Sequence, residues 1–82
     1  MALKSSKEIL RRIDHANKRY GPFRSSHEGL GVALEEWNEL QDAVKSNVPS
    51  DIAWECLDLA AVLIRMAEQI TTNKETQNRS TK

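Results

Sequence analysis

Residues 50–70 read SDIAWECLDLAAVLIRMAEQI and form the most apolar window of this 82-residue chain. Pro49 followed by Ser50, a good N-cap, predicts a helix that starts at Ser50 and continues to about Ile70. Apolar side chains cover most of its circumference. A helix of this kind must be buried on several sides. Its few polar residues fall close to one stripe, which comprises Asp51, Glu55, Asp58, Arg65 and Gln69.

Glycine and proline divide the preceding sequence into two further helical segments. The breaks lie at residues 21–22 (Gly-Pro) and 47–49 (Asn-Val-Pro). Apolar residues recur at three- and four-residue steps over residues 5–20, which predicts an amphipathic first helix. The second helix is predicted from Ser25 or Ser26, either of which can cap it, to residue 46. Its apolar face comprises Leu30, Ala33, Leu34, Trp37, Leu40 and Val44.

The three segments together predict an all-α fold with three main helices in a single domain over residues 1–70. Two helices of modest amphipathicity cannot cover the third alone. We therefore expect self-association into helical bundles, as a dimer or a tetramer (a dimer of dimers). Residues 71–82 contain no apolar side chain and cannot dock by burial, so we expect a polar, flexible C-terminal tail.

Charge and composition narrow the class of protein. Lys+Arg and Asp+Glu balance at 12 each, so no overall field favours a nucleic acid polymer or a membrane surface as partner. The longest apolar run, residues 59–64, is too short to span a bilayer. Residues 1–7 lack the apolar run of a secretory signal. One cysteine excludes an internal disulfide and fits a reducing compartment, so we expect a soluble cytoplasmic protein.

Two acidic clusters are the main functional signal. Residues 35–39 (EEWNE) and residues 55–58 (ECLD) are separated by 15 intervening residues. Carboxylates three residues apart on a helix share one face, and like charges at this spacing cost about 0.2–0.5 kcal/mol per pair. Four oxygen donors, two from each of two packed helices, suit a hard cation such as Mg²⁺ or Mn²⁺ better than zinc. Mg²⁺ in turn usually binds substrate phosphates, which indicates metal-assisted attack of water on a phosphate chain.

The acidic residues can also have structural roles without a metal. Glu35 and Asp42 fit a solvated helix face. Glu55 and Asp58 lie in the most hydrophobic window, where an unpaired carboxylate costs several kcal/mol. Arg65, two turns beyond Asp58, is a candidate for a structural ion pair with it. Because one arginine cannot neutralise four acids, metal binding is favoured.

The pattern Glu-Glu-x-x-Glu followed by Glu-x-x-Asp resembles the signature of the MazG-like all-α nucleoside triphosphate pyrophosphohydrolases, which are related to the dimeric dUTPases. The resemblance covers residues 20–70, and residues 20–29 look like the lead-in of short phage and mobile-element members. It implies a MazG-like fold for the helical domain. It also implies hydrolysis of the α–β bond of a nucleoside or deoxynucleoside triphosphate to the monophosphate and pyrophosphate.

The same resemblance implies site residues. Glu36, Glu39, Glu55 and Asp58 would hold Mg²⁺, and Glu35 would be an extra ligand or the base that orients water. Longer members continue into a fourth helix with basic residues, whereas only Asn73, Lys74 and Arg79 remain here, in a segment too polar to pack. Phosphate contacts then come from Arg65, come from a neighbouring subunit, or are missing. This departure keeps two alternatives open: a non-catalytic helical interaction module, and a nucleotide- or metal-binding regulator without turnover.

Three aromatic residues and one histidine are further candidates for substrate binding. His27 can contact a base or phosphate, or can simply be exposed near a helix start. Phe23 can stack on a nucleobase or act as a staple onto the second helix. Trp37 and Trp54 can also stack on a base, but their apolar faces favour packing.

Overall fold

The computed structural model describes residues 2–77, with side chains over residues 6–72, and consists of three α-helices. Helix α1 covers Ala2–Tyr20, α2 covers Ser26–Ser46 and α3 covers Pro49–Gln77. No β-strand occurs in the described part of the chain, so the prediction of an all-α fold with three helices is confirmed. Within that part, no helix has the length and apolar character needed to cross a lipid bilayer.

Local capping residues explain the bounds of α2. Ser25 is extended, and its hydroxyl accepts a hydrogen bond from the Glu28 amide at 3.1 Å, as expected of an N-cap. At the other end Asn47 adopts the left-handed conformation (φ 59°), which asparagine tolerates. Its amide donates to the carbonyls of Ala43 and Val44 at 2.9 and 3.0 Å. A turn of two residues then leads into α3.

Helix α3 differs from its predicted bounds at both ends. It begins at Pro49, one residue earlier than predicted, because proline has no amide proton to lose at the first helical position. The Val48 carbonyl accepts from the amides of Asp51 and Ile52 at 3.0 and 3.1 Å. The helix also continues to Gln77, seven residues beyond the predicted end, through residues that are polar but compatible with a helix. The rest of the predicted tail, 78–82, lies outside the described residues.

Helices α1 and α2 both pack against α3, and over the described residues they do not pack directly against each other. Small side chains dominate the interface between α2 and α3. A Cβ at Gly29 would lie 2.7 Å from Cγ of Met66, so glycine at this position allows the two helices to approach. The buried apolar side chains are those of Ile13, Ala33, Ala43, Ala61 and Val62.

Part of the predicted apolar surface is uncovered in a single chain. Of the predicted face of α2, Ala33 is buried, but four larger side chains are about half exposed: Leu30, Leu34, Trp37 and Val44. Leu63 and Ile70 of α3 are exposed to a similar extent. A single chain therefore leaves large apolar side chains of both helices in contact with water.

Candidate metal centre and the adjoining cleft

Three glutamates, two from α2 and one from α3, converge at one point. Glu36 and Glu39 lie one helical turn apart on α2, and Glu55 lies in the second turn of α3. One carboxylate oxygen from each residue lies within 4.8 Å of the other two. The spacing that predicted two acidic faces therefore brings three of the four predicted ligands together.

Two of these carboxylates bury an oxygen that has no hydrogen-bond partner among the described residues. They are Oε1 of Glu36 and Oε1 of Glu55. A buried polar atom without a partner costs about 1–3 kcal/mol, and more when it is charged. A hard divalent cation satisfies such oxygens directly, so the donor set fits Mg²⁺ or Mn²⁺.

Burial and, to a lesser extent, mutual repulsion both raise the pKa values of carboxylates in the cluster. Burial, assisted by the charges of Glu39, Asp58 and Glu55, raises the pKa of Glu36 from 4.5 to about 7. Burial also raises the pKa of Glu55, again with help from Glu39 and Asp58. The cluster therefore binds a proton more readily than isolated carboxylates do, unless another cation neutralises it.

Asp58, the fourth predicted metal ligand, is engaged by a different partner. Its Oδ1 forms an ion pair with Nη1 of Arg12 from α1. Nε of Arg12 also donates to Oε2 of Glu8 at 2.9 Å, and its guanidinium lies 4.0 Å from the centroid of the Trp54 ring. Asp58 is near enough for its charge to raise the pKa of Glu36 and Glu55, yet its own charge is balanced by α1.

Arg65 does not form the ion pair with Asp58 that was the structural alternative to metal binding. It is 7% exposed, and its Nε donates to Oδ1 of Asn17 at 2.9 Å. Its Nη2 donates to the carbonyl of Gly21 at 2.7 Å, and the guanidinium lies 4.5 Å from the centroid of the Phe23 ring. Arg65 thus holds the C-terminal end of α1 and the loop that follows it. Burial lowers the pKa of its guanidinium.

A cleft of about 700 Å³ opens between α1 and α2, with α3 as its floor. Its volume falls in the range of small-ligand sites. Glu35 and Glu36 line the α2 side, so the cleft reaches the acidic cluster. The other lining residues that bear on function are Trp54, Asp58 and Arg65 of α3, Phe23 of the first loop, and three basic residues of α1, namely Arg11, Arg12 and His15.

The remaining candidate residues are placed as follows. Glu35 is exposed and lines the cleft beside Glu36, but it is not one of the three converging glutamates. His27 is exposed in the first turn of α2 and does not line the cleft. Phe23 lines the cleft, and the side-chain amide of Gln69 fixes its backbone. The Gln69 amide oxygen accepts a hydrogen bond from the Phe23 N–H at 2.9 Å, and the Gln69 amide nitrogen donates one to the Phe23 carbonyl at 2.6 Å. The assigned roles of these residues stay predictions.

Sequence reasoning missed the basic side of the cleft. In the sequence, Arg11 and Arg12 are simply part of a positively charged N-terminal segment. The available signal is a spacing, since residues 11 and 15 lie one turn apart and share a helix face. Only the packing of α1 shows that this face points toward the acids.

Comparisons with protein-family models, with curated proteins and with solved structures find no match to this chain.

Proposed function

We propose that this protein is a Mg²⁺-dependent nucleotide pyrophosphohydrolase of the MazG-like type, which cleaves a nucleoside or deoxynucleoside triphosphate to the monophosphate and pyrophosphate. One observation carries the proposal. Glu36, Glu39 and Glu55 converge from two helices, and two of them bury carboxylate oxygens without a hydrogen-bond partner in the described part of the chain. The cluster borders a cleft of suitable size for a nucleotide.

The three glutamates would hold Mg²⁺, with Mn²⁺ as an alternative and Asp58 as the fourth predicted ligand. Mg²⁺ held there would supply positive charge to stabilise the negative charge on phosphate oxygens during attack by water. The side chain of Glu35 lines the cleft next to Glu36, where a carboxylate can accept a hydrogen bond from that water and orient it. This placement supports the predicted role of Glu35 as the base.

Two aromatic rings offer surfaces for the nucleobase. Trp54 is 56% exposed and lines the cleft, with the guanidinium of Arg12 over its ring. Phe23 lines the same cleft, backed by Arg65 and fixed in position by Gln69. An aromatic ring held by an arginine on one side leaves its other face for stacking. Arg65 itself donates to Asn17 and Gly21, which favours a role in holding Phe23 over direct phosphate binding.

We further propose that the protein is a homo-oligomer. Leu30, Leu34, Trp37 and Val44 are each about half exposed, and their spacing places them along one side of α2. Burial of such a stripe against a second copy removes apolar area from water at about 25 cal/mol per Å². Sedimentation velocity at micromolar concentration should report a dimer or a larger species, and a folded monomer would contradict this part of the proposal.

One observation favours a second candidate, a metal- or nucleotide-binding regulator without turnover. Asp58 forms an ion pair with Arg12, so only three of the four predicted ligands converge in the cluster. The exposed stripe on α2 likewise suits a non-catalytic interaction module. These candidates predict binding without product formation.

The deciding experiment is a panel of nucleoside and deoxynucleoside triphosphates with Mg²⁺, scored separately for pyrophosphate and orthophosphate. We expect pyrophosphate from at least one substrate and no accumulation of nucleoside diphosphate. Glu55→Gln should abolish turnover and the Mg²⁺-dependent rise in melting temperature, because binding to the folded state alone stabilises it. Asp42→Asn is the matched control, since Asp42 is an exposed acid of α2 outside both the cluster and the cleft lining.

The outcomes separate the candidates. A Mg²⁺-dependent thermal shift without product from any triphosphate would favour the regulator. Release of orthophosphate in place of pyrophosphate would exclude the proposed reaction. If neither Mg²⁺ nor Mn²⁺ shifts the melting temperature, with or without nucleotide, the metal centre itself is wrong.

A further inference from the structure

We infer that the basic side of the cleft, formed by Arg11, Arg12 and His15 of α1, binds the phosphate chain of the substrate. The inference deepens the proposed function and rests on it. The sequence leaves the source of the phosphate contacts open. Here the cations come from the N-terminal helix.

The first support is the distribution of charge across one cleft. Glu35 and Glu36 line its α2 side, and three basic residues line its α1 side. A magnesium–triphosphate complex has a positive group for the acidic side and negative groups for the basic side. Its metal is attracted to carboxylates, and the phosphate oxygens that do not bind metal keep a negative charge. Arginine matches those oxygens with paired N–H donors.

The second support is that Arg12 is already oriented. Its side chain is only 10% exposed and is held from three directions, by Glu8, by Asp58 and by the ring of Trp54. A guanidinium that is fixed before the ligand arrives loses less conformational entropy on binding. Arg12 also keeps Asp58 from adding a further unpaired negative charge to the floor of the cleft.

The third support is the single carboxylate that Arg11 and Arg12 share. Oε2 of Glu8 lies 2.5 Å from Nη2 of Arg11 and 2.9 Å from Nε of Arg12. Hydrogen bonds from these arginines lower the pKa of Glu8. Glu8 is therefore the present counter-ion of both guanidiniums and competes with any incoming phosphate. Removing its charge should strengthen phosphate binding.

The test uses inorganic tripolyphosphate with Mg²⁺, titrated into the full-length protein by calorimetry, so that binding is read without turnover. Arg11→Ala should weaken binding about tenfold, the size expected for one charge-assisted contact. His15→Gln should weaken it by a smaller factor. Glu8→Gln should tighten binding several-fold. Arg19→Ala is the control, because it removes the same charge from α1 at a position outside the cleft lining.

Three results would overturn the inference. The first is an unchanged affinity for tripolyphosphate in both Arg11→Ala and His15→Gln. The second is a loss of affinity in Arg19→Ala as large as that in Arg11→Ala, which would indicate a general charge effect. The third is no binding of tripolyphosphate to the wild type. Arg11 is 67% exposed, so its substitution leaves the fold intact. Titration of Mg²⁺ alone should be unchanged in all variants. Binding that responds as expected without pyrophosphate release from any nucleotide keeps this inference and rejects the proposed reaction.

Discussion

The two helix–helix interfaces of this protein are made in different ways. Helix α2 meets α3 through small residues, with Gly29 against Met66 and with Ala33 and Ala43 of α2 buried. At the other interface two arginines, Arg12 of α1 and Arg65 of α3, bond across to the opposite helix or the loop beside it, and Ile13 of α1 is buried. The first interface places carboxylates side by side, and the second places cations opposite them. Close packing thus builds the acidic centre, and hydrogen bonds position its basic counterpart.

The largest effect on stability is expected from a substitution of Arg65, which should weaken the α1–α3 interface and leave the α2–α3 interface unchanged. Arg65→Met removes the donors to Asn17 and Gly21 and leaves those acceptors without them, at a cost of about 2–4 kcal/mol in the free energy of unfolding. Hydrogen exchange should rise more in α1 than in α2. Denaturant unfolding and exchange mass spectrometry measure both effects.

Arg24→Met is the matched control, because Arg24 is exposed in the loop and its loss should change stability little. The Mg²⁺-dependent thermal shift should survive in Arg65→Met, since the three glutamates belong to the other interface. Equal loss of protection in all three helices would show that the two interfaces are not energetically separate.

A second prediction concerns the pH dependence of the α2–α3 interface. The pKa of Glu36 is raised from 4.5 to about 7, so between these values the folded state holds a proton that the unfolded state has lost. Stability without metal should therefore fall as the pH rises from about 4.5 to about 7 and level off above that, by on the order of 1–2 kcal/mol once solvent screening of this partly exposed group is allowed for. Urea unfolding at several pH values measures this trend.

Glu36→Gln should remove most of that dependence and leave the metal-free protein more stable above about pH 7. Because Mg²⁺ must displace the proton, its affinity should increase with pH and level off above about pH 7. A metal-free protein whose stability rises over the same interval would contradict the raised pKa of Glu36, which is assigned to burial and to the neighbouring acids.

The smallest effect comes from two glycines in the same helix. Gly31→Ala should stabilise the protein by about 1 kcal/mol, since a Cβ there meets nothing within 4 Å and alanine favours the helix. Gly29→Ala gains the same propensity but forces Met66 to move, so we expect a net loss of about 1 kcal/mol. Equal stabilisation by both changes, measured by urea unfolding, would mean that the α2–α3 interface relaxes freely at this point.

The features that could be predicted from sequence are local ones. The breaks at residues 21–22 and 47–49 and the cap at Ser25 depend on neighbours in the chain, and the structure has them in place. The convergence of Glu36, Glu39 and Glu55 follows from spacing on two helices joined by a short turn.

The partners of α1 could not be predicted in this way. Arg12 meets Asp58 across 46 residues, and no periodicity links the two positions. A shared stripe of α3 favours a pair between Arg65 and Asp58, but the actual acceptors of Arg65 are an amide and a backbone carbonyl. A carbonyl has no sequence signature, so only the packed structure identifies such a partner. The half-exposed face of α2 is likewise invisible in the sequence, since periodicity marks an apolar face without showing what covers it.

The position of the turn at Asn47 also determines which carboxylates of α2 and α3 lie at the same level. Glu39 precedes Asn47 by eight residues and Glu55 follows it by eight, so at about 1.5 Å per residue both stand about 12 Å from the turn. Adding one residue to either arm alone would shift that carboxylate along the axis and rotate it by about 100°. If the segments that join Glu39 and Glu55 to the turn become longer, the three oxygens stay together only when both segments gain the same number of residues. About seven residues each are needed, because two helical turns restore the same helix face. The distance between the two acidic motifs is therefore free to change only in large, paired steps.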